Sequence, residues 1–183
     1  MDTAVYVLLA LAALVVVWAI ITLNSFVRAR NQVDESWSGV DVQLKRRHDL
    51  VPNLVETVKG YAAHESGVLE EVTRARAAAV AATDSEQQGK AEASLTSALG
   101  NIRAVAEQYP QLRASENFQQ LQAELAQIED QIQAARRIYN ANVRAFNTRI
   151  QIFPNSLLAG AYQARHFFEL DDPAERAVPA VAF

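Results

Sequence analysis

The chain has 183 residues, of which half are apolar, and its formal net charge is −4. This mild negative charge gives no reason to expect a nucleic-acid partner, and the absence of cysteine excludes disulfides and thiolate metal ligands. Only six glycines and five prolines are present. All-β and α/β folds therefore fit poorly, and an all-α fold is predicted.

Residues 4–23 form an uncharged stretch that is long enough to cross a bilayer as a helix. Twenty helical residues span about 30 Å, the thickness of the hydrocarbon core. No basic residue precedes the stretch, and it is longer than the apolar region of a signal peptide, so residues 1–28 are predicted to be an uncleaved anchor. Arg28 and Arg30 follow it. This excess of positive charge predicts a single-pass plasma-membrane protein with a short N-terminus outside and a cytoplasmic body.

From about Asn31 to about Ala82, apolar residues recur at alternating steps of three and four. This seam predicts one long helix packed against other helices. Pro52 interrupts it, because proline lacks the N–H that would bond the carbonyl of His48. The helix is expected either to kink at Pro52 or to restart there, and the kink is favoured because the seam keeps its phase.

Two charged residues, Arg47 and Glu65, lie on this apolar seam. Buried charges of this kind need partners, which we expect from another helix or another copy of the chain. The candidate partners are six charged residues of the third predicted helix: Glu124, Glu129, Asp130, Arg136, Arg137 and Arg144. Alternatively, a kink at Pro52 turns Arg47 towards solvent.

Further helix boundaries are predicted along the rest of the chain. Thr83, with Glu86 three residues later, is typical of a helix start, and Pro110 ends this second helix. Ser115 caps a third helix, and a short fourth helix is predicted from Leu157 to about Glu169. The residues of this last helix expected to close the core are Leu157, Leu158, Tyr162, His166 and Phe167.

Together these segments predict an up-and-down antiparallel bundle of three long helices and one short helix over residues 29–169. Residues 170–183 are acidic and proline-containing without periodicity, and are predicted to be a flexible tail. The first helix is longer than the second, so part of its seam is expected to remain uncovered near the membrane. This stripe, a predicted surface for homo-oligomer formation, consists of Trp37, Val40, Leu44 and Val51.

No grouping of residues predicts catalysis, a metal or a cofactor. His48 and His64 lie about 160° apart around a helix and about 24 Å apart along it, so they cannot share an ion within one chain. Polar side chains spaced by three and four residues instead predict an interaction face for proteins or the membrane surface. That face comprises Arg46, His48, Asp49, Asn53 and Glu56.

Several stretches resemble the LemA family of bacterial membrane proteins. They are Trp37-Ser38, the run DVQLKRRHDLVPNLV at 41–55, VKGY at 58–61, Tyr139-Asn140, Phe153-Pro154 and FFE at 167–169. The resemblance implies a helical bundle on one N-terminal anchor, with the N-terminus outside the cell. It implies no enzyme, since no catalytic activity is established for the family. A relative that takes part in building magnetosome membranes hints at membrane organisation.

The favoured hypothesis is a non-enzymatic scaffold in the lipid bilayer that self-associates and organises the membrane or unidentified membrane or cytoplasmic protein partners. One alternative is an adaptor for a membrane protease or signalling protein that acts through the tail. Another is an enzyme whose acids and imidazoles converge only between subunits.

Overall fold

The computed structural model describes residues 3–169, and this part of the chain is helical without strands. The elements are α1 (Thr3–Lys59), α2 (Ser66–Ala81), α3 (Ser85–Gln108), α4 (Pro110–Arg113), α5 (Glu116–Gln151) and a 3-10 helix (Asn155–Ala161). The all-α prediction is confirmed. The predicted tail, 170–183, lies outside the described residues.

Helix α1 runs without interruption from the apolar N-terminal stretch into the centre of the bundle. Its apolar part is the one segment among the described residues that is long and hydrophobic enough to cross a membrane, and none of its most hydrophobic 18-residue window is buried. The helix continues through Pro52. A restart at Pro52 is therefore wrong, the predicted continuity is confirmed, and a bend there stays a prediction.

The prediction of one helix from residue 31 to residue 82 is wrong, because α1 ends at Lys59. Gly60, a poor helix former, follows directly, and the backbone N–H groups of Tyr61 and Ala62 both bond the carbonyl of Val58. The chain then turns back as α2. The bundle consequently has four long helices rather than three.

Neighbouring helices are antiparallel, and α5 follows α1 in a fixed register. Asn142 donates to the carbonyl of Gln32 at 3.3 Å, and Arg149 donates to the carbonyl of Ser25 at 3.1 Å. The buried apolar side chains form two clusters along the bundle. The membrane-distal cluster includes Val51, Leu54, Leu95, Ile102 and Leu125, and the membrane-proximal cluster includes Phe26, Val40, Leu44, Ile132 and Phe146.

The predicted uncovered stripe near the membrane is covered within the chain. Val40, Leu44 and Val51 are buried, and Trp37 packs against the rings of Tyr139 and Phe168. Helix α5, with 36 residues, is long enough to cover the part of α1 that α3 does not reach. The premise of an exposed stripe is thus wrong, and self-association through it has no support.

The predicted fourth α-helix is also wrong. The 3-10 helix ends at Ala161, and residues 162–169 continue as an extended segment, which we call the strap. Leu157 and His166 are exposed, whereas Phe168 is fully buried in their place. At the start of α3 the capping residue is Asp84, one position after the expected Thr83, and its carboxylate accepts from two backbone N–H groups.

Candidate functional site

A buried polar cluster separates the two apolar clusters at the middle of the bundle. Its buried members are Arg47 and His48 of α1 and Gln88 and Glu92 of α3, and the exposed Thr96 of α3 and the partly exposed Glu129 of α5 contact Arg47 at its edge. Glu92 has no solvent-exposed surface, and Arg47 is 4% exposed. Because buried charges are costly unless paired, the contacts of each group decide what the cluster does.

The Arg47 guanidinium joins three helices. Its Nη1 lies 3.2 Å from Glu92 Oε2, while its Nη2 donates to the Thr96 hydroxyl at 2.7 Å and lies 3.6 Å from Glu129 Oε2. Arg47 therefore does not turn to solvent. Glu129 was among the expected partners, but Glu92, the buried one, was not.

The second oxygen of Glu92 completes the cluster. Oε1 lies 2.6 Å from His48 Nε2 and accepts from the side-chain amide of Gln88 at 2.9 Å. The same Gln88 nitrogen also donates to the carbonyl of Ala79 at the end of α2. Every polar group around Glu92 is thus engaged with the chain itself, which fixes α1, α2 and α3 relative to one another.

Pro52 leaves the carbonyl of His48 without a helical donor, and α2 supplies a substitute. Arg76 Nε donates to this carbonyl at 2.6 Å. A buried carbonyl without a partner costs free energy comparable to a lost hydrogen bond. The contact therefore allows α1 to pass through Pro52 intact.

The other predicted site residues lie in different environments. Arg46, Asp49, Asn53 and Glu56 are exposed on α1 and share a face, whereas His48 is buried and does not belong to it. Glu65, the second seam charge, accepts from the phenol of Tyr109 at 3.2 Å. This hydrogen bond to a carboxylate raises the pKa of Tyr109.

The strap lies along α5 like a bound peptide. The side-chain amide of Asn147 donates to the carbonyl of Arg165 and accepts from its N–H, at 2.9 and 2.8 Å. Asn140 makes the same pair with Phe168, at 3.0 and 2.9 Å. The two asparagines are seven positions apart, so their side chains point to the same side of α5. Both bind backbone groups of the strap rather than its side chains.

Further contacts anchor the strap to other helices. Tyr162 packs edge-on against the ring of Phe26, and Arg165 forms a 3.0 Å ion pair with Asp34 of α1. At the far end, the backbone of Glu169 lies on Gly89 of α3, where a Cβ would overlap the Glu169 carbonyl. Gly89 is therefore needed for this close approach.

The chemistry open to these groups is limited. Among residues 3–169 no group of three or more histidine or carboxylate side chains is placed to hold a metal ion. The imidazole of His48 and the carboxylate of Glu92 contact each other and their neighbours inside a packed core. The arrangement sets the relative positions of helices and gives a substrate no access to these two groups.

Comparison with known proteins now decides the family. The model of the LemA family matches residues 36–183. The chain belongs to the LemA family. The match begins just after the apolar stretch and includes the polar cluster, the strap and residues beyond it.

Three relatives are similar to the chain over most of its length. The chain is 27% identical to the magnetosome protein MamQ 2 of Paramagnetospirillum magneticum, over 90% of this chain and 73% of the relative. It is 29% identical to protein LemA of Metamycoplasma hominis, over 74% of this chain and 63% of that protein. A magnetosome protein MamQ from Magnetospirillum gryphiswaldense is 25% identical, with the same coverage as MamQ 2.

Sequence reasoning missed three groups in this LemA-family site. Glu92 lies in line with Leu95 and Leu99, which are both buried, so its place on the apolar face of α3 was the available signal. Asn140 and Asn147 share a face of α5 beside buried residues. No local pattern marks Arg76, because its role follows from a proline on another helix.

Proposed function

We propose that this LemA-family protein is a non-enzymatic, membrane-anchored scaffold that organises protein partners or copies of itself at the membrane surface. One observation carries the proposal. Helix α1 is continuous over 57 residues, from the stretch that could span a bilayer to the distal end of the bundle. The bundle is therefore built directly on the helix that could cross the membrane, without a linker between the two.

The pairing of the core charges supports a binding role over a catalytic one. The acids, guanidinium and imidazole that could perform chemistry are paired with each other in the bundle core. The surface of α1, by contrast, offers Arg46, Asp49, Asn53 and Glu56 on one exposed strip. We propose this strip as the interaction face. It replaces the buried stripe as the candidate for self-association.

The proposed location is the inner membrane, with the short N-terminus outside and the body in the cytoplasm. The basic residues that follow the apolar stretch, Arg28 and Arg30, support this orientation. The magnetosome relatives are consistent with a role in membrane organisation. The chain has no native cysteine, so one introduced at the exposed Val80 can be labelled with an impermeant reagent to test the orientation. Labelling in lysed but not intact cells is expected.

Site-specific photocrosslinking in intact cells tests the interaction face. A photoreactive amino acid at Asp49 or Asn53 is expected to yield discrete crosslinked species, either homodimers or complexes with one partner. The same amino acid at Thr73, which is exposed on α2, serves as the matched control. Loss of the species in an Arg46→Glu variant supports the face. Monomers alone at Asp49 and Asn53, with wild-type expression, contradict it.

Two other functions remain as competing proposals with their own tests. For the adaptor, partner recovery in pull-downs with and without residues 171–183 decides whether the tail recruits anything. For an enzyme with a site between subunits, the assembled protein would bind zinc or manganese stoichiometrically. His48→Ala would then abolish that binding.

A further inference from the structure

The end of α5 lies beside the membrane-spanning part of α1. Arg149 contacts the carbonyl of Ser25, and the helices are antiparallel. Each residue further along α5 therefore lies about 1.5 Å nearer the membrane side of α1. The turn after α5, with Phe153 four residues beyond Arg149, reaches about the level of Ile21. That level is inside the uncharged stretch of α1.

Burial on α1 gives the same depth independently. Thr22 is 5% exposed and Phe26 is fully buried, although both belong to the stretch that precedes the first basic residue, Arg28. Tyr162, just after the 3-10 helix, packs on the ring of Phe26. The protein therefore covers α1 at a depth where a simple tether would be surrounded by lipid.

The surface at this depth is apolar and exposed. Ile152 is 48% exposed, Phe153 is 80% exposed and Leu157 is 71% exposed. Other large apolar residues on the outside of the bundle, such as Val80 and Ile138, occur singly. Three within six residues at one end form a patch that is unfavourable in water. A bilayer at the level of Ile21 would cover it.

Two arginines lie beside this apolar end. Arg144 and Arg149 line a cavity that Ile152 also lines, and neither forms an ion pair with a carboxylate in the described part of the chain. This cavity of about 550 Å³ is also lined by Ser25, Thr148 and Asn155. Guanidinium and hydroxyl groups are the donors that phosphate oxygens accept from most readily.

We propose that residues 152–157 insert into the same leaflet from which α1 emerges, and that Arg144 and Arg149 bind lipid phosphate in the adjoining cavity. The bundle then has a second contact with the bilayer besides α1. It stands end-on, with its axis fixed, and the face at Asp49 and Asn53 lies at a set height above the lipid. This insertion is possible on either side of the membrane, because it involves only the leaflet from which α1 emerges.

Depth measurements on full-length protein in liposomes test the insertion. Since the chain has no native cysteine, single cysteines at Phe153 and Leu157 can each carry a fluorophore quenched by spin-labelled lipids. Val80 and Ile138 are matched exposed controls on α2 and α5. Quenching several-fold stronger at Phe153 and Leu157 than at both controls is expected.

Two results would overturn the insertion. One is a label at Phe153 as accessible to a water-soluble quencher as the label at Val80. The other is equal lipid quenching at Ile138, which would place the bundle flat on the membrane. Neither outcome depends on whether the interaction face binds a partner, so this proposal and the proposed function fail separately.

Native mass spectrometry tests the phosphate contact. Wild-type protein released from micelles that contain phosphatidylglycerol is expected to retain bound lipid, and Arg144→Gln to retain several-fold less. Arg137→Gln, an exposed arginine of the same helix about two turns further from the membrane, should retain as much as wild type. Equal retention in Arg144→Gln and Arg137→Gln overturns the headgroup assignment.

Discussion

The guanidinium of Arg76 occupies the place of a missing backbone donor, bonding the carbonyl of His48 at 2.6 Å. That carbonyl is the one Pro52 cannot serve. The tertiary contact and the proline should therefore be energetically coupled. A double-mutant cycle separates this coupling from general damage to α2.

Arg76→Ala in the wild-type background is expected to lower the free energy of unfolding by about 1–3 kcal/mol, since it leaves a partly buried carbonyl unpaired. With Pro52→Ala present, the N–H of residue 52 can bond the carbonyl, so the same change should cost clearly less. Chemical denaturation in mild detergent measures both values. Arg74→Ala, an exposed neighbour, is the control. Equal costs in the two backgrounds contradict the coupling.

Glu92 is predicted to be the most sensitive polar residue in the bundle. Glu92→Ala removes the buried carboxylate that both Arg47 and His48 contact and leaves the buried guanidinium only the partly exposed Glu129 as an ionic partner. A loss of about 3–5 kcal/mol is expected. Glu107→Ala on the same helix breaks the exposed pair with Arg113 and should cost less than about 1 kcal/mol. Thermal unfolding followed by circular dichroism compares them.

The nature of the Glu92 effect can be checked with a triple substitution. Replacing Arg47, His48 and Glu92 together by Met, Leu and Leu removes all three charged or polar groups at once. Such replacements are often neutral or stabilising when volume is kept. Stability well above that of Glu92→Ala is therefore expected. A triple variant as unstable as Glu92→Ala would mean that geometry, not unpaired charge, causes the loss.

The sequence predicted the helical class well but not the path of the chain. The third predicted helix is present as α5, on which Phe118, Leu125, Ile128 and Ile132 are buried, because a long amphipathic helix repeats its apolar spacing many times. The break at Gly60 was overlooked, since Tyr61, Val68 and Val72 continue the three-and-four spacing across it. Periodicity reports which residues are apolar, and not whether the helix turns back between them.

The site was harder to predict, because its partners are far apart in sequence. Arg47 and Glu92 are separated by 45 positions, and their contact requires the turn at residues 60–65 that the seam concealed. The strap has no periodic spacing of apolar residues from which its position could be predicted. Asparagine side chains of α5, a different element, hold it in place. Arg47 was recognisable in the sequence as a charged residue on an apolar seam, and this position correctly indicated where the buried polar cluster lies.

Asn140 and Asn147 of α5 are predicted to hold the strap, residues 162–169, in place. Asn147→Ala removes both hydrogen bonds to Arg165, and the backbone N–H of Arg165 should exchange with deuterium faster. Asn142→Ala is the matched control on the same helix, because Asn142 bonds Gln32 of α1 instead. Hydrogen exchange with mass spectrometry checks the difference. Unchanged protection of residues 162–169 from hydrogen exchange in Asn147→Ala would show that Asn147 does not hold the strap.

Gly89 and Gly100 on α3 should respond in opposite ways to alanine. Gly100→Ala meets open space and should stabilise by up to about 1 kcal/mol through helix propensity. Gly89→Ala overlaps the Glu169 carbonyl and should release the end of the strap. Hydrogen exchange near Phe168 and thermal unfolding measure the two effects. Similar stabilisation by both, with unchanged exchange, would show that Glu169 does not pack on Gly89.

Alkaline pH should weaken the fold through Tyr139. Burial raises the pKa of this phenol above its ordinary value of 10.0, with the Ser85 hydroxyl and Arg165 partly offsetting the increase. Between the unfolded and the folded pKa, the unfolded chain ionises while the folded chain keeps the proton. The contribution to stability is therefore fully present below about pH 10 and falls as pH rises through that window.

Tyr139→Phe removes the titrating group together with its 3.0 Å hydrogen bond to the carbonyl of His166. At neutral pH the variant should be less stable by about 0.5–1.5 kcal/mol. Its further loss above about pH 10 should be smaller than that of wild type. Denaturant melts across this range test the difference, and Asn142→Ala should keep the wild-type slope because it leaves the phenol in place. If the stabilities of wild type and Tyr139→Phe fall in parallel as the pH rises, Tyr139 is not the group that causes the loss. A larger loss in wild type is expected because only wild type carries the buried phenol at position 139.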